Sequence, residues 1–163
     1  MEVIQLEPYL FEGLSIQQLL PTVLYMRSTN SIEGCTFTLA PMEQSAPQTK
    51  AFEAQHDVPP ILKMIIKMKN IPMREIIDFS GIPESIVVTS ESAHQNSQEF
   101  PYMKTVTVFS KAEGGTLCTT ECSLRLFKSE MPKFMKKQFR VMAEKKAKKV
   151  RKDEIAVARE NFA

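Results

Sequence analysis

Apolar residues recur along the chain with two different periods, and the switch between them divides it into elements. Val3, Ile4 and Leu6 outline a short edge strand that Pro8 ends. From Ser15, a good N-cap, Ile16, Leu19, Leu20, Val23 and Leu24 fall at the three-and-four spacing of one helical face, which predicts a helix over 15–26 with Pro21 inside it. Residues 32–39 alternate around Cys35, Phe37 and Leu39 and suit a strand, whereas 40–50, with Pro41 and Pro47, read as a loop. Residues 51–58 form a further strand, halted by Pro59 and Pro60. Pro60 suits the first turn of a short helix carrying Ile61, Leu62, Ile65, Ile66 and Met68, which Asn70 and Pro72 end.

Beyond this point four extended runs follow, over 73–79, 85–92, 102–110 and 116–127, each rich in Ile, Val, Thr or Phe. Turn chemistry separates them: Ser80, Gly81 and Pro83, the polar stretch 93–98, and the Gly114–Gly115 pair, which can take positive φ without a Cβ penalty. Such short links imply consecutive antiparallel strands. A final helix opens near Pro132, with Phe134, Met135, Phe139 and Met142 on an apolar face; after Glu144 it becomes Lys, Ala and Arg. The expectation is one α+β domain over 1–163, a curved antiparallel sheet gripping a long C-terminal helix, with 144–163 a basic helical extension leaving the core.

If a cavity lies between sheet and helix, its predicted lining is Phe79, Val87, Val106, Val108, Cys118 and Leu124 from the strands and Phe134, Met135, Phe139 and Met142 from the helix. A slip of one residue in any strand would reverse the faces. Ten methionines add flexible, polarizable side chains that fill cores and adaptable pockets alike.

Length and composition leave this picture intact: 163 residues, 43% hydrophobic and 25% charged, are enough for a single core. Charge changes it. Residues 1–127 carry 9 Lys/Arg against 14 Asp/Glu, a net −5, while 128–163 carry 12 against 5, a net +7. An acidic body with a basic end orients toward an anionic partner, and Lys145, Lys146, Lys148, Lys149, Arg151 and Lys152 are the candidate contacts with an anionic membrane. Nucleic acid attracts the same charges, but the cluster has few Arg and no Tyr or Trp for base readout and stacking. The uncharged stretch 14–26 is too short to span a bilayer, the first residues show neither a signal nor a transit pattern, and three cysteines without CxxC suit a reducing compartment. A cytosolic protein, peripheral on membranes, is the expectation.

Catalytic signatures are missing. His56 and His94 lie in no recognisable motif, and there is no GxSxG, HExxH, Walker-type loop or GxGxxG. Cys118 and Cys122, four apart on one strand, are about 13 Å apart, too far to share a metal ion. Glu75 and Asp78 fall on opposite strand faces. No enzyme, cofactor or metal is expected.

The order of elements resembles the START-like helix-grip superfamily of lipid-binding proteins, to which birch-pollen-allergen and polyketide-cyclase proteins belong. The PRELI-like group, where a short helix interrupts the early strands, is nearest in layout. The likeness rests on His56-Asp57-Val58-Pro59-Pro60-Ile61-Leu62-Lys63, the Glu75–Phe79 strand, Ser85–Ser92, Lys104-Thr105-Val106-Thr107-Val108, the Gly114–Gly115 hairpin and Met131-Pro132-Lys133-Phe134, and it spans roughly residues 50–160. It implies non-enzymatic binding, or transfer, of a lipid or other hydrophobic small molecule between sheet and helix. The alternative is a protein- or RNA-interaction domain that uses the cationic helix.

Overall fold

The computed structural model describes residues 2–39, 48–63, 68–92, 101–125 and 132–162. Its elements are β1 (Glu2–Gln5), β2 (Tyr9–Glu12), α1 (Ile16–Ser28), β3 (Cys35–Leu39), β4 (Thr49–Asp57), a 3₁₀ turn (Pro60–Leu62), β5 (Asn70–Asp78), β6 (Ser85–Ser92), β7 (Tyr102–Ala112), β8 (Gly115–Arg125) and α2 (Lys133–Asn161). The eight strands make one antiparallel sheet in the order β1-β8-β7-β6-β5-β4-β3, with β2 pairing further along β8. Part of the loop expected over 40–50, the second half of the expected short helix (64–67), the polar stretch 93–98 and residues 126–131 lie outside the described residues.

Local chemistry explains most boundaries. Ser15 and Gln18 form a reciprocal capping box that starts α1. Pro21 is tolerated because the carbonyl it leaves without a donor belongs to Gln17, which faces water. β5 begins three residues earlier than the pattern predicts; Pro72 is accommodated because pairing with β6 begins only at Met73. In the β7–β8 hairpin Gly114 has φ +81°, and a Cβ on Gly115 would stand 2.0 Å from the Phe11 carbonyl oxygen, so β2 can lie on β8 only if that residue is glycine.

Register fixes the faces. Ile86 pairs with Phe109, which pairs with Cys118, and Met103 pairs with Leu124; this face is buried under the helices. Val87 and Val108 oppose each other on the other face, as do Thr89 and Val106. The expected inward placement of Val87, Val106 and Val108 is therefore corrected: these three point out, and Val88, Thr105, Thr107 and Phe109 point in. Runs such as Val87-Val88 are apolar on both faces, so alternation alone could not choose between them.

α2 spans 29 residues and lies across the inner face. Met135, Phe139, Ala143, Ala147, Val150, Glu154 and Ala158 recur at three and four and turn toward the sheet and α1. Its second half does not run out into solvent as the pattern suggested: Glu154 is 2% and Ala158 0% exposed, and Phe162 meets Tyr25 of α1 edge-to-face at 6.0 Å. Small residues and a buried ion pair replace large apolar side chains there, which hides the face from a hydropathy count. Among the described residues no helix is long and apolar enough to cross a membrane.

Candidate functional site

The space between sheet and α2 is the candidate site, and charge organises its centre. Arg27, on the last turn of α1, donates through Nε to Glu75 of β5 and through Nη1 to the Val23 carbonyl at 3.0 Å, with its guanidinium 5.6 Å from the Phe37 ring centre. Arg151 of α2 lies 2.9 Å from Glu154 and 3.2 Å from Cys118 Sγ, and stacks 5.4 Å over Phe109. All four charged side chains are nearly enclosed, at 11% and 4% for the first pair and 12% and 3% for the second. Burial pushes the Glu154 carboxyl up, with Arg151 and then Arg27 opposing that shift. Glu154 Oε1 is not aligned for a hydrogen bond, and among the described residues the buried Ser90 hydroxyl beside Glu75 has no partner.

A second cluster sits where edge strand β3 meets α2. Cys35 Sγ is 3.6 Å from His56 Nδ1, and Lys146 Nζ reaches the same sulfur at 3.7 Å. Burial, reinforced by Lys146 and Arg27, lowers the His56 imidazole to about 4, so it is neutral at physiological pH. Burial also raises the thiols of Cys35 and Cys122, and that of Cys118 to about 11. Cys35 is thus a protonated thiol beside a neutral imidazole, which is the reverse of an activated nucleophile. Among the described residues no three His, Cys, Asp or Glu side chains gather closely enough to hold a metal ion.

Toward the first half of α2 the same face becomes more open. Met103, Thr105, Thr120 and Cys122 keep partial exposure although they lie on the inner face, and Met68 and Met142 are likewise half-buried. Hydroxyls give this floor polarity: Thr107 and Thr120 share a hydrogen bond at 3.2 Å, and Ser92 accepts from the Met103 N–H at 2.9 Å. The recesses of about 320 and 410 Å³ lie elsewhere, one between the start of α1 and the β7–β8 hairpin, the other beside Arg74 and Ile76 of β5.

A concave antiparallel sheet closed over one long C-terminal helix is the helix-grip arrangement. The chain has that fold. Solved structures agree along nearly its whole length: Ara h 8.0201 (TM-score 0.58, 10% identity, 98% of this chain and 99% of that one) and protein CV1439 from Chromobacterium violaceum (0.53, 10%, 97% and 98%). The di-domain ARO/CYC StfQ from the steffimycin biosynthetic pathway matches at TM-score 0.63 and 12% identity, over 97% of this chain but 51% of its own. The chain thus corresponds to half of that di-domain protein. No protein-family model matches the sequence, and no curated protein matches it. Helix-grip proteins include members of biosynthetic pathways, so the fold by itself does not exclude catalysis.

Within this helix-grip frame the sequence-predicted residues separate. Cys118 and Leu124 of the sheet and Met135 and Phe139 of α2 meet in the core, Met142 is half-buried, and Phe79 packs on the core just beyond β5. Phe134 points away from the sheet at 66% exposure, one helical step from the buried Met135. Of the six basic candidates, Arg151 is turned inward, Lys146 reaches Cys35, and Lys149 pairs with Glu33 at 2.9 Å and Asp153 at 3.7 Å. Lys145, Lys148 and Lys152 remain exposed. Arg27, Glu75, Glu154 and Ser90 were not foreseen as interior groups. The one signal available was charge on an otherwise apolar face, since Arg27 follows Ile16, Leu19, Val23 and Met26 on α1.

Proposed function

We propose that the chain binds a hydrophobic small molecule, a lipid in the first instance, between the sheet and the first half of α2, without converting it. The observation that carries this reading is the partial exposure of Met103, Thr105, Thr120 and Cys122 on the face that α2 roofs; the flexible Met68 and Met142 are half-buried as well. Neutral His56 and the protonated thiols favour holding over chemistry. The resemblance of the sequence to the PRELI-like group favours a lipid, carried between membranes from the cytosolic side, and the net +7 of the last 36 residues favours anionic membranes as the place of exchange.

Native mass spectrometry of the freshly purified chain is the experiment. A noncovalent adduct of lipid mass, lost on extraction with organic solvent, is the expected result. An 18.5 kDa species alone, both as purified and after incubation with a mixed lipid extract, would remove the proposal.

A further inference from the structure

The solvent side of α2 is not a uniform solvated face. Phe134, Lys137, Val141, Lys145, Lys148 and Lys152 follow one another at three and four, so they form one stripe about 27 Å long on the side opposite the core. Phe134 is 66% and Val141 60% exposed, two of the largest apolar exposures among the described residues, and both lie in the first third of the helix. The four lysines are exposed, and none has an ion pair among the described residues. The stripe contains no acidic residue. Glu144 instead accepts from the Glu7 N–H at 2.8 Å, Asp153 faces Lys149, and Glu154 is buried.

We propose that this stripe docks on an anionic bilayer, with Phe134 and Val141 entering the acyl boundary and the lysines at the headgroups. The inference rests on the membrane contact proposed above and replaces its residues: Lys146, Lys149 and Arg151 belong to the protein, while Lys137, Lys145, Lys148 and Lys152 belong to the lipid. The chemistry selects a bilayer over other polyanions. Lysine stems lie along apolar surface while their ammonium groups stay in water, and exposed apolar side chains gain from an acyl layer but not from a phosphate backbone. With both apolar groups near its start, α2 tilts so that its N-terminal end lies deepest, which brings the turns bearing Met135 and Phe139 close to the surface.

The chain has no Trp, so Phe134→Trp, at an exposed position, installs a unique reporter. On phosphatidylcholine vesicles containing phosphatidylserine its emission is expected to shift to the blue and to be quenched by lipids brominated on the acyl chain. Leu39→Trp, exposed at the far edge of the sheet, is expected to do neither. The triple change Lys145→Glu, Lys148→Glu, Lys152→Glu is expected to weaken vesicle binding by about a hundredfold or more, at roughly a factor of five per lysine removed. Binding without a blue shift at residue 134 overturns the docking face and leaves the membrane contact standing. Failure to bind these vesicles, or tighter retention on single-stranded RNA at matched salt, overturns both.

Discussion

Arg27→Met is expected to destabilise the fold by about 3–5 kcal/mol, because it removes one partner of a buried pair and leaves the other as an uncompensated charge. Glu75 is enclosed on the inner face, and among the described residues the Arg27 guanidinium is its only ion-pair partner. Arg27 also holds the Val23 carbonyl near the end of α1 and covers the Phe37 ring, so α1, β3 and β5 are joined at this one side chain. The double change Arg27→Met, Glu75→Leu removes both charges at similar volume and is expected to recover most of the loss. Urea unfolding of the wild type, the single and the double variant checks this. A single-variant loss below about 1 kcal/mol, well under what a broken buried pair costs, would mean that Glu75 is hydrated and the centre of the interior is wet.

Phe139→Ala is expected to cost about 3–5 kcal/mol, the range for deleting a buried aromatic ring. At 6% exposure the ring is part of the core beneath α2. A loss of that size lowers the melting temperature by about 6–20 °C in a domain of this length, at about 2–4 °C for each kcal/mol. Phe134→Ala, five positions earlier on the same helix but on its outer side, is expected to change stability by no more than about 0.5 kcal/mol. Thermal denaturation of the two variants side by side checks the rotation of α2 about its axis. Equal losses would show that the helix is turned differently on the sheet.

The elements that could be read from the sequence are those whose two sides differ. The Ser15 cap and the apolar row from Ile16 to Val23 define α1, and the Gly114–Gly115 pair defines the β7–β8 hairpin. Met135 and Phe139 mark the buried side of α2. Strand faces were readable only in part: Cys118 and Leu124 were placed correctly, whereas valines in β6 and β7 were assigned inward because both sides of those strands carry β-branched residues. β2 escaped notice because a four-residue strand followed by glycine leaves almost no periodic signal. The centre of the candidate site was the least legible part. Arg27, Glu75, Arg151 and Glu154 are charged side chains that a pattern rule sends to the surface; Arg27 finds Glu75 only when α1 and β5 come together, and the Arg151–Glu154 pair, made within α2, is enclosed only when that helix packs on the sheet. The same rule read the Ala-rich, charged second half of α2 as a free basic extension, although Ala143, Ala147 and Ala158 let the helix lie close to its neighbours.

Methyl spectra of the protein labelled at the methionine methyl groups test the binding reading most directly. Met103 of β7 and Met142 of α2 flank the proposed ligand space, and Met26, 1% exposed within the core, is an internal reference. On titration with oleate, saturable shifts at Met103 and Met142 with little change at Met26 are the predicted result. Saturable binding that leaves both Met103 and Met142 unmoved would contradict it, because the ligand would then lie outside the space between the sheet and α2.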